Sequence, residues 1–235
     1  PGKHFTEVGV AALLGKIQSM LLISHFTGHI QAGFGASLKN LGMGLASRRG
    51  KMIQHSTARP SIKVSRCVGC GACLSTCPAE AISLRPASES PHRNTAHIAR
   101  KTCIGCGECL AVCRFEAIGY NWSETYENLQ EKMAEYAMGA WRTVSPRALA
   151  CSYLVRMSPD CDCMATRPPM TEDIGVLCSR DPVALDQASL DLVEERLGHP
   201  LGKAAHDIPL YTQLAHAQDL GLGSRTYTLH HLEQP

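Results

Sequence analysis

CVGCGACLSTCPAEAI, residues 67–82, returns as CIGCGECLAVCRFEAI at residues 103–118, and a spacer rich in Pro, Ser, His and Arg at 85–96 joins the two copies. Each copy reads Cys-x2-Cys-x2-Cys-x3-Cys: Cys67, Cys70, Cys73 and Cys77, then Cys103, Cys106, Cys109 and Cys113. Twelve cysteines in 235 residues would suit a secreted disulfide framework, but no signal peptide is visible and the cysteines cluster instead of spreading to staple distant loops. Metal is the better reading. Working outward, 44% hydrophobic and 19% charged residues describe a globular chain, and the longest apolar runs, Val8–Leu14 and Met20–Ile23, fall far short of a membrane span. A cytoplasmic protein is expected.

The spacing is that of bacterial two-cluster ferredoxins. Three thiolates two residues apart wrap three corners of a cubane, while Gly69, Gly71, Gly105 and Gly107 let the backbone turn its N–H groups toward sulfur. Because the last cysteine of each run serves the other cluster in such proteins, the expected ligand sets are Cys67, Cys70, Cys73 and Cys113 for one [4Fe-4S] cluster and Cys103, Cys106, Cys109 and Cys77 for the second. Structural zinc is the alternative, but its Cys-x2-Cys pairs are parted by longer loops and lack a closing x3 step. Arg114 stands where the first run has Pro78, and a cation there would raise a cluster's potential.

The flanks alternate strand and helix. Residues 7–19 suggest a short helix, Met20–Ser24 a buried strand, and 36–45 a much-interrupted helix in the glycine-rich stretch from Gly28 to Gly50. Residues 51–65 read as a loop. Beyond the cysteines, 126–141 reads as a helix, 152–157 and 174–178 as strands, and 183–197 as a helix with Asp181 as N-cap and Pro182 at its first position. A last helix covers 208–220. The expected fold is therefore α/β, a mixed sheet with flanking helices over 1–62 and 121–235, interrupted at 63–120 by an inserted ferredoxin-like α+β domain with two [4Fe-4S] clusters.

Four further motifs, SHFTGH at 24–29, GFGASLKNLGMGLASRRGK at 33–51, CDC at 161–163 and SRDPVALDQASLDLV at 179–193, occur in order around the repeat. Together they resemble the iron–sulfur centre proteins grouped as domain of unknown function 362. The resemblance implies a cytoplasmic α/β protein carrying an inserted two-cluster ferredoxin domain, and it implies no particular substrate. Thr27 stands where many members have Lys, and the α/β segment usual ahead of the first motif does not precede it here, so the chain is expected to be a fragment or to have its other half elsewhere.

His25 and His29 fall just past a strand end, where open α/β sheets place ligands. They read equally as a catalytic or metal pair and as imidazoles bonded within a turn. Cys161, Cys163 and Cys178 follow or end predicted strands, which points to a third metal or redox site at the same edge, against the alternative of inert buried thiols. Cys151, at a strand start, reads as core. Lys39, Arg48, Arg49 and Lys51 among glycines suggest an anion pocket or a basic docking face. It is no standard nucleotide loop, since five residues separate Gly44 from Gly50 and Met52 replaces the hydroxyl residue. Asp186 and Asp191 are expected on a helix surface.

Charge is segregated: residues 1–66 hold nine Lys and Arg against the single acid Glu7, and the remainder holds 14 against 20. Phe34 is the one aromatic between Gly28 and Arg66, which argues against nucleic acid and for an acidic redox partner. The leading expectation is an iron–sulfur oxidoreductase component that relays electrons to a catalytic site at His25, His29 and Lys39, suited to an anionic small molecule. The alternative is an electron carrier or docking subunit without chemistry of its own, and a nucleic-acid-associated iron–sulfur protein comes third.

Overall fold

The computed structural model describes residues 2–55, 60–87, 90–119, 125–145, 147–164 and 167–232. Two compact units result: Pro1–Ser47 with Thr125–Pro235, and, inserted between those segments, Arg48–Glu124. In chain order the first unit supplies β1 (Met20–His25), β2 (Thr27–His29), β3 (Gly33–Gly35) and α1 (Ser37–Lys39), which runs on into a π turn over Asn40–Gly44. The second supplies α2 (Arg48–His55), β4 (Ser61–Ile62), α3 (Ala72–Ser75), β5 (Ile82–Ala87), β6 (Ser90–Ile98), α4 (Glu108–Val112) and β7 (Ile118–Gly119). The first resumes with α5 (Tyr126–Val144), β8 (Ala148–Leu154), β9 (Gly175–Ser179), α6 (Pro182–Leu197), α7 (Leu201–Ala204) and α8 (Thr212–Asp219).

The first unit is mixed α/β. Its sheet has the order β1-β8-β9, with β1 parallel to β8 from Met20↔Ala148 to His25↔Tyr153 and β9 antiparallel to β8 from Ala150↔Ser179 to Leu154↔Gly175. Strand alternation sends Leu22, Ala148, Ala150 and Leu154 into the core with residues of α5, α6 and α8. The opposite face is open: Leu21 is 59% and Ile23 56% exposed, so the strand predicted as buried is an edge strand covered on one face only. A continuous apolar run conceals that alternation. Phe26 and Phe34, both fully buried, stack with centroids 5.2 Å apart beneath the β2–β3 hairpin. A Cβ on Gly42 would run into the Met133 carbonyl, so glycine lets the π turn approach α5.

The capping signal at α6 reads correctly: Asp181 accepts from the N–H groups of Val183 and Ala184 at 2.8 and 3.0 Å. Other expectations change. Residues 7–19 form only a 3₁₀ turn at Ala12–Lys16, because Val10 is drawn into a bridge with Ala46. The stretch read as a loop holds the end of α2 and the β4 pairing with β7. Asp186 is not on a surface. It is fully buried on α6 and accepts from the N–H groups of Ser37 and Leu38 at 2.8 and 2.7 Å, capping α1 from a position 149 residues away. Asp191 is partly buried, accepting from Gln187 Nε2 and the Tyr227 hydroxyl.

The second unit is built of two short antiparallel pairs, β4–β7 and β5–β6, with α3 and α4. Its buried core is Cys67, Cys73, Ala96, Cys109, Ala117 and Ile118. Among the described residues no helix is long and apolar enough to cross a membrane.

Candidate functional site

The second unit contains two apolar cavities. One is walled by Cys67, Cys70, Cys73 and Cys113, and the other by Cys77, Cys103, Cys106 and Cys109. Each therefore takes three cysteines from one run and the last from the other. The chain enters α3 and α4 through left-handed glycines, Gly71 at φ 81° and Gly107 at φ 77°, a conformation that a side chain would strain. Backbone N–H groups of Ala81, Ala96 and Ala117 donate to the sulfurs of Cys77, Cys67 and Cys113, each at 3.3 Å. Burial, and then the neighbouring Cys67, Cys70 and Cys113, push the Cys73 thiol up, while burial with Cys106 and Cys103 pushes Cys109 up to about 11. Among the described residues no three His, Cys, Asp or Glu side chains converge to hold a single metal ion.

In the first unit a cleft opens where the parallel strands β1 and β8 end, the edge at which open α/β sheets bind ligands. Two adjoining hollows, of about 880 and 1140 Å³ of empty space open to solvent, share Ile23, Ser24, His25, Cys161 and Asp162. His25 is the last residue of β1, and its Nε2 donates to the Val155 carbonyl at 2.7 Å while Nδ1 lies 3.0 Å from both oxygens of Asp162. Both ring nitrogens thus face oxygen acceptors, a carboxylate on one side and a backbone carbonyl on the other. Lys39 lines the same cleft, with its stem in space left by the missing side chain of Gly35. Burial lowers the Lys39 amine from its ordinary value, and Asp162 pulls it partly back.

Cys161 and Cys163 are joined by a disulfide, Cys161 being 9% exposed and Cys163 open to the cleft. The loop carrying them is tied down at Asp160, which accepts from Arg167 Nε at 2.5 Å and pairs with His206 Nε2 at 2.8 Å. Those two hydrogen bonds, from Arg167 and then His206, hold its carboxyl below the usual range.

Of the residues singled out in the sequence beyond the two cysteine runs, His25, Lys39, Cys161 and Cys163 come together at the cleft. His29 turns into its own hairpin, its Nδ1 accepting from the N–H groups of Gln31 and Ala32 at 3.2 and 3.0 Å, and it lines neither hollow. Cys178, expected with Cys161 and Cys163, lies on β9 directly across from Cys151 and lines neither hollow. Burial and contact with Cys178 push the Cys151 thiol up to about 11. Lys39 belongs to the first unit and Arg48, Arg49 and Lys51 to α2 of the second. Sequence reasoning passed over Asp162, although it sits inside the quoted CDC motif, and Asn40, whose Nδ2 donates to the Ile23 carbonyl and Ser24 Oγ at the free edge of β1.

Fold and sites together describe a mixed α/β protein with a strand-end cleft, interrupted by a cysteine-rich unit. The chain belongs to the family described as Domain of unknown function (DUF362), whose model matches residues 1–191. That match takes in the whole second unit and the cleft-forming segments, and ends within α6. No curated protein matches the chain.

Proposed function

We propose that the chain is an iron–sulfur electron-transfer protein, a component of an oxidoreductase, that carries single electrons on two [4Fe-4S] clusters and delivers them to the strand-end cleft. The observation that carries this reading is the crossed membership of the two cysteine cavities, which reproduces the ligand exchange of two-cluster ferredoxins. The residues fit such a group. Burial raises the Cys73 and Cys109 thiols, one in each cavity, a cost that positive charge arriving with the ligand would offset. The N–H donors on Cys67, Cys77 and Cys113 are those that lower the charge density on coordinated sulfur. When bound, the clusters supply one-electron carriers, and His25, Lys39 and Asp162 supply a charged, hydrogen-bonded site for an anionic small molecule.

Protein purified without oxygen is expected to hold about eight iron and about eight inorganic sulfide per chain. Stoichiometric zinc without sulfide would overturn the proposal. A carrier without its own chemistry predicts that cleft variants at His25 and Lys39 leave every redox assay unchanged.

A further inference from the structure

The cleft contains a redox couple of its own. Cys161 and Cys163 flank Asp162, the residue that His25 holds, and Lys39 lines the same hollow as both sulfurs. The two sulfurs are unequal in access, since Cys163 is exposed and Cys161 is buried. That pairing of an outer, attackable sulfur with an inner, leaving one, in a hollow that a lysine also lines, is what thiol–disulfide exchange needs.

We propose that Cys161–Cys163 is a redox-active disulfide that exchanges with a low-molecular-weight thiol in the cleft, Lys39 stabilising the thiolate that leaves. An incoming thiolate attacks Cys163 Sγ, the Cys161–Cys163 bond breaks, and Cys161 departs as a thiolate into the hollow that Lys39 lines. A second thiolate then attacks the mixed disulfide at the sulfur of the first, which releases Cys163. Two thiols are oxidised to one external disulfide, Cys161 and Cys163 are reduced, and the two protons the thiols lose end on the two cysteines. The reductant is the thiol itself, so the step is independent of the clusters. Iron and sulfide analysis therefore fails separately from this inference.

The test uses the full chain, purified without oxygen and equilibrated with a series of reduced and oxidised dithiothreitol mixtures. Free thiols are trapped by alkylation and located by peptide mass spectrometry. Cys161 and Cys163 are expected to pass from protected to alkylated together along the series. Alkylation of both in every mixture, or protection of both in the native protein under excess reduced dithiothreitol, would overturn the proposal, the first showing plain thiols and the second a structural staple.

The role of Lys39 is read from the pH profile of Cys161 alkylation in the reduced protein. Lys39→Met is expected to move its midpoint up by about one unit and slow alkylation at pH 7 about tenfold. Lys39→Arg is expected to restore both. An unmoved profile in Lys39→Met, with cluster content and circular dichroism unchanged, would remove Lys39 from the exchange.

Discussion

Among the described residues, the largest fully buried apolar side chains, from Phe26 and Phe34 through Met133 and Leu154 to Leu214, all belong to the first unit, whereas three of the six core residues of the second are cysteines. The first unit closes its core with the 19-residue α5 and the 16-residue α6, while the longest helix of the second, α2, has eight residues. Domains below roughly 70–80 residues seldom gain more than about 3–5 kcal/mol from apolar burial alone. The contrast teaches that the first unit is held by its own packing, whereas the second has little apolar packing of its own and, on the proposed reading, would depend on what its cysteines hold.

The largest expected effect breaks or upholds that contrast. Stripping the clusters with acid and chelator should remove on the order of 3 kcal/mol from the second unit, so trypsin cleavage within Arg48–Glu124 rises about a hundredfold while the first unit stays resistant. Equal resistance before and after stripping would show that the second unit stands on its apolar contacts.

A smaller effect sharpens the other side. Asp186→Asn leaves one of the two N–H groups at Ser37 and Leu38 facing an amide donor, an expected cost of about 1–3 kcal/mol in denaturant unfolding of the first unit. Burial pushes the Asp186 carboxyl up to about 7, against the lowering by its backbone hydrogen bonds. Because the folded value lies above the ordinary 3.8, the stability Asp186 contributes is full below that pH and is lost as pH rises through about 7. The stability difference between wild type and Asp186→Asn should therefore shrink over that range. A constant difference would contradict the burial argument.

The smallest effect concerns docking. Arg48 and Arg49 are exposed on α2, and Arg48 pairs with Glu108 at 2.9 Å across a partly solvated surface. Replacing both with Ala should change stability by less than about 1 kcal/mol. It should slow reduction by an acidic one-electron donor several-fold at low salt, a difference that screening removes at high salt. Salt-independent kinetics in the wild type would place the docking face elsewhere.

Legibility in the sequence followed the distance over which each feature is specified. The cysteine runs are local, so spacing alone grouped the cysteines in the two sets of four that line the two cavities. The α6 cap is local too, and Asp181-Pro182 announced it. The cleft is not: His25 meets Asp162 across 137 residues, and only the strand-end position hinted that they share an edge. Burial of Asp186 and the meeting of Cys178 with Cys151 depend on strand order and helix packing, which no short motif carries. The exposed face of β1 was hidden for the opposite reason, since an uninterrupted apolar run looks the same whether one face or two are covered.

The most direct test of the crossed arrangement is a map of cysteine protection in Cys77→Ala. Full-length protein, purified without oxygen, is alkylated in its native state and each cysteine is located by peptide mass spectrometry. The account predicts that Cys103, Cys106 and Cys109 become reactive, while Cys67, Cys70, Cys73 and Cys113 stay protected and the iron content falls to about four per chain. Exposure of Cys67, Cys70 and Cys73 instead, with Cys103, Cys106 and Cys109 still protected, would contradict it.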